Sequence, residues 1–138
     1  MDLRPAAVLI IENHPLMRSA LCNAIAAEPG LQVAEVDIND PESLAIPGPE
    51  DIIFLPRNLD MILLALSNPG LKELDVLKML RALLPEIPVL ALTSNEVAGQ
   101  EQAALEAGAR GVVTKTASRS EIIQALRDMH SKNSRGQQ

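Results

Sequence analysis

Three side chains suited to handling a phosphoryl group, Glu12, Thr93 and Lys115, each stand directly after a short apolar run. An acid can hold a divalent cation, while a hydroxyl and an ammonium can hold phosphoryl oxygens. Other polar residues share these exits: Asn13 and His14 beside Glu12, Ser67 and Asn68 after Leu66, and Ser94 beside Thr93. Polar residues also close strands in any α/β protein. Position alone therefore leaves a functional pocket and ordinary strand capping both open. His14 has no second metal ligand near it in sequence and reads as a loop residue at a helix start. Thr93 and Ser94 lack the base and orienting group that would make either a nucleophile.

The elements that must position these residues are legible from period and punctuation. Ala6–Ile11 is apolar throughout, as a strand buried on both faces requires. Pro15 suits a first helical turn, and Leu16, Ala20, Leu21, Ala24 and Ile25 recur at helical spacing until Pro29-Gly30. Leu31–Val36 alternates as a second strand. Met61–Leu66 is a strongly apolar strand, followed by a Ser67-Asn68-Pro69-Gly70 loop. Leu74, Leu77, Leu80 and Leu84 mark a helix closed by Pro85, and Val89–Leu92 is a further strand. An alanine-rich helix is expected over Val97–Ala107 and a fifth strand over Gly111–Thr114. Ser118 and Glu121 form a capping-box signature opening a helix with Ile122, Ile123 and Leu126 inward.

Four prolines (Pro41, Pro47, Pro49, Pro56) interrupt residues 37–59, where an irregular or extended second-helix region is expected. From Ser131 the sequence is polar and unpatterned, which reads as a tail or truncated linker over 131–138 after a domain spanning 1–130. Strands alternating with helices imply an α/β fold built on a doubly wound, five-stranded parallel sheet.

Composition narrows the function classes. The formal net charge is −6, and the chain has one Phe, no Trp and no Tyr, so it offers neither a phosphate-binding surface nor stacking platforms for nucleic acid. Cys22 is the only cysteine, which excludes an intramolecular disulfide and fits a reducing cytoplasm; on its helix it reads as a small apolar filler. No signal-peptide pattern or run of transmembrane length is present.

Val8-Leu-Ile-Ile-Glu-Asn-His-Pro-Leu-Met17, the Asn68-Pro-Gly70 loop, Ile87–Thr93 and Ala104–Gly111 leading to Lys115 occur in this order. Together they resemble receiver domains of bacterial response regulators, most closely the NarL/LuxR group, from about Val8 to Met129. The resemblance implies a flavodoxin-like fold and maps an incomplete phosphorylation site. Glu12 and Asn13 correspond to the family's paired acids, Thr93 to its hydroxyl residue and Lys115 to its lysine. The phosphoacceptor aspartate is replaced by Ala65 and the aromatic switch residue by Val112. The interval from Glu12 to Ala65 is longer than the family's, which places an insertion in the proline-rich region.

A methyl group accepts no phosphoryl group, and one surviving acid makes a tight Mg²⁺ site unexpected. Asp60 cannot replace the acceptor, because the strand carries it roughly 16 Å away at about 3.3 Å per residue. A Glu12–Lys115 pair is expected to fill the old pocket. The resemblance thus implies a non-enzymatic pseudo-receiver that acts through protein partners or self-association, with Val97–Leu126 containing the contact face. DNA contact is expected only through a helix-turn-helix effector domain following Gln138. A sensor that places a small molecule or anion near Thr93, Ser94 and Lys115 is the alternative; a flavodoxin-like hydrolase would need a nucleophile–base pair that this sequence does not assemble.

Overall fold

The computed structural model describes residues 5–12, 14–34, 58–67 and 70–136, with side chains as far as Lys132. Asn13, Asn68, Pro69 and the proline-rich region up to residue 57 lie outside the described residues, and with them the expected second-helix irregularity.

Strands β1 (Ala6–Ile11), β2 (Leu31–Val33), β3 (Leu59–Ala65), β4 (Val89–Thr93) and β5 (Gly111–Thr114) form one sheet in the order β2-β1-β3-β4-β5. Every neighbouring pair is parallel. Parallel strands need crossover segments that cover both faces, which explains why β1 and the end of β3 carry continuous apolar runs. Helices α1 (Pro15–Ala26), α2 (Leu71–Leu83), α3 (Gln100–Ala107) and α4 (Arg119–Gly136) supply those covers.

Alternate strand residues feed two cores. Val8, Ile10, Met61, Leu63 and Leu92 pack with Ile25 of α1 and Ile123 and Leu126 of α4. Leu9, Ile11, Ile62, Leu64 and Ala91 pack with Leu77 and Leu80 of α2 and Ala104 of α3. Cys22 is half-buried against the first core, as a small filler would be.

Local chemistry sets most boundaries as expected. Pro15 occupies the first turn of α1 behind His14. At α4, the Glu121 N–H donates to Ser118 Oγ at 3.2 Å while Glu121 Oε1 accepts the Ser118 N–H at 3.5 Å, so the capping box forms.

Two expectations need correction. Helix α3 starts at Gln100 rather than Val97, because Gly99 takes a left-handed conformation (φ +76°) that the helix cannot include. Helix α2 starts at Leu71, earlier than its leucine period suggests. The polar stretch from Ser131, unpatterned in sequence, continues α4 to Gly136. Once nucleated, a helix gains one hydrogen bond per residue fixed, and no proline stops this one.

Candidate functional site

The order of β1, β3 and β4 brings the exits of three central strands together. Ile11 pairs with Leu64, Ala65 pairs with Leu92, and the Leu66 N–H donates to the Leu92 carbonyl at 2.8 Å. Glu12, Ala65 and Thr93 therefore end neighbouring strands at one edge. Beyond β5, the Lys115 N–H donates to the Thr93 carbonyl at 2.9 Å, which adds the lysine to the same edge. Such an edge, at the reversal of strand order, is where doubly wound sheets collect ligands.

Glu12, Ala65 and Thr93 are all buried. Glu12 Oε1 accepts the His14 N–H at 2.9 Å, and Glu12 Oε2 is buried without a hydrogen-bond partner among the described residues. Glu12, His14, Leu16, Met17, Ala20 and Lys115 line a cavity of about 430 Å³. A neighbouring groove of about 360 Å³ between α1 and α4 is mainly apolar, with Lys115 and Arg119 on its lining.

The expected Glu12–Lys115 ion pair does not form among the described residues. Glu12 instead bonds two residues along its own chain, which orders less flexible chain than fixing a lysine would. Asp60 lies at the start of β3, where its Oδ2 accepts the Ala7 N–H at 2.8 Å across the irregular register of β1 and β3. It is at the far edge, as its place in the strand requires. Val112 points toward the core under α2 and α3, while Val113 faces the opposite core. The family resemblance implies Mg²⁺ at this edge, and the donor set fits it poorly. Mg²⁺ takes near-octahedral oxygen ligation. Position 65 contributes a methyl group, and no group of three His, Cys, Asp or Glu side chains among the described residues is placed to hold a metal.

Two buried residues at this edge escaped the sequence reading. Glu73, in the first turn of α2, accepts the Ser67 N–H at 2.6 Å through Oε1, and the same oxygen accepts the Ser67 hydroxyl. Gln100, the first residue of α3, donates from Nε2 to the Ser67 carbonyl at 2.9 Å and accepts the Ser94 N–H through Oε1 at 2.6 Å. An acid just after a Pro-Gly turn is a helix-start signal that marks Glu73. Gln100 follows a glycine, but nothing near it in sequence announces its distant partner.

Residues 8–127 match the response regulator receiver domain family. The chain is 35% identical over 120 residues to the glycerol metabolism activator of Pseudomonas putida, covering 86% of this chain and 51% of that protein. It is 30% identical over 125 residues to response regulator GacA of Pseudomonas aeruginosa, covering 88% and 54%. A CheY-like receiver domain structure from Methanospirillum hungatei superposes with a TM-score of 0.74 at 16% identity, covering 96% and 98%. The chain spans about half the length of the curated relatives it matches. It belongs to the receiver domain family of two-component response regulators, with the flavodoxin-like fold.

Proposed function

We propose that this chain is a pseudo-receiver: a receiver domain whose output is set by protein contacts rather than by aspartyl phosphorylation. The observation that carries the proposal is the buried methyl group of Ala65 at the exit of β3, between the exits that hold Glu12 and Thr93. In-line transfer needs an oxygen nucleophile at that position, and a methyl carbon supplies none. The poor donor set for Mg²⁺ supports the same reading, and we expect no tight Mg²⁺ binding.

With no acceptor and no aromatic ring at Val112, the domain holds one arrangement. Partner concentration then governs signalling, since a ligand shifts an equilibrium only through differential affinity for its states. We assign the contact face to Val97–Leu126, for self-association or a protein partner. Transcriptional output, in the cytoplasm, comes through an effector domain outside this chain, which is also the only route to DNA.

A second reading, a small-molecule or anion sensor, draws support from the cavity shared by Glu12 and Lys115 and from the apolar groove beside it. Saturable thermal stabilisation by a metabolite-sized anion would favour it.

The deciding experiment is the intact mass after incubation with acetyl phosphate and Mg²⁺, with Ala65→Asp measured in parallel. We expect no phosphoryl adduct on the native chain and an acid-labile adduct on the variant. Any adduct on the native chain overturns the proposal.

A further inference from the structure

The hydrogen bonds of Glu73 and Gln100 form one continuous path. It runs from α2 through Ser67 at the exit of β3, through the Gln100 amide at the start of α3, to Ser94 at the exit of β4. Both acidic and amide side chains are about 96–97% buried, at 4% and 3% relative exposure. The orientation of the Gln100 amide is forced. A backbone carbonyl can only accept and a backbone N–H can only donate, so Nε2 must face Ser67 and Oε1 must face Ser94.

Gly70 completes the arrangement. Its φ is +82°, and a Cβ there would lie 2.7 Å from both Gln100 Nε2 and the Ser67 carbonyl oxygen. The backbone has thus been brought against the amide so closely that only glycine fits. A surface polar contact would show neither this burial nor this close approach.

We propose that Glu73, Gln100 and Gly70 form a latch that couples the loop after β3 to the loop after β4. It fixes the placement of α3 without any phosphoryl group. The two loops are those flanking position 65 and Thr93, whose exits meet at the same edge. Buried networks of this kind lose more than one bond's worth of order when one member is removed. The coupling itself is independent of the phosphorylation-independent reading; only its bearing on signalling rests on that reading.

The test is residue-resolved hydrogen exchange by NMR on the unphosphorylated full chain. Native, Gln100→Met and Glu73→Ala proteins are compared at the Ser67 and Ser94 amides. The Leu66 amide, held by the Leu92 carbonyl, reports on the sheet. Gln100→Met should speed exchange roughly tenfold at Ser94, the amide it loses, and also several-fold at Ser67, which Gln100 touches only at the carbonyl. Glu73→Ala should do the converse. Acceleration confined to the directly bonded amide in each variant overturns the latch, as does equal acceleration at Leu66, which would mean the loops open only with the sheet. If Glu73→Ala fails to fold, the Ser67 amide in Gln100→Met decides alone. Because no phosphoryl donor is present, failure here is distinct from failure of the mass experiment.

Discussion

Two polar clusters share one edge of the sheet and have opposite bookkeeping. At the exits of β1 and β5, Glu12 keeps a buried carboxylate oxygen with no partner among the described residues, and Lys115 forms no ion pair with it. At the exits of β3 and β4, Glu73, Ser67, Gln100 and Ser94 satisfy one another in sequence. The first cluster holds the residues that the family resemblance identifies with phosphoryl chemistry. The second holds residues outside the set that the resemblance maps onto that chemistry. The difference teaches that polar residues gathered at one sheet edge can be left unsatisfied on one side while those on the other side hold neighbouring loops together.

The sharpest way to break this contrast is at glycine. Gly70→Ala meets both a left-handed φ and a Cβ clash at 2.7 Å, so we expect a loss of about 3 kcal/mol or more in urea unfolding. Gly99→Ala has the same kind of φ but nothing within 4 Å of the added Cβ, and should lose only about 1–2 kcal/mol. Equal losses at the two positions would mean that the close approach to Gln100 carries no energy.

Glu12→Gln probes the unsatisfied side. The substitution removes a charge that is buried without full pairing, while the amide oxygen still accepts the His14 N–H. We expect stability in urea to rise by about 1 kcal/mol. A drop of that size would show that the carboxylate has a partner, such as a cation, in solution. The smallest effect belongs to Lys115→Ala. A half-exposed lysine with no ion pair to Glu12 should change the unfolding midpoint by no more than about 0.5 kcal/mol.

Much of this architecture is legible in the sequence itself. Continuous apolar runs announced buried parallel strands, and Pro15 and the Ser118–Glu121 box announced helix starts, because each signal is written within a few residues. The start of α3 is not legible in this way, because helical period extends past Gly99 and says nothing of φ. A Glu12–Lys115 pair does not follow from sequence, because opposite charges at one edge say nothing about which hydrogen bond each group makes. Gln100 was missed for a different reason. In an alanine-rich segment a glutamine reads as a solvated residue, and its partner Ser67 lies 33 residues away.

The bond between Asp60 and the Ala7 amide joins residues 53 apart and sits where β3 enters the sheet beside β1. It closes the circuit that runs through α1, β2 and the proline-rich connection. The entropy of closing such a circuit grows only with the logarithm of its length, about 0.6 kcal/mol for each doubling. Added length between β2 and β3 would therefore weigh little against a pairing that β1 already secures. Length in that connection is a nearly free variable, on which a lineage can build or trim without disturbing the sheet.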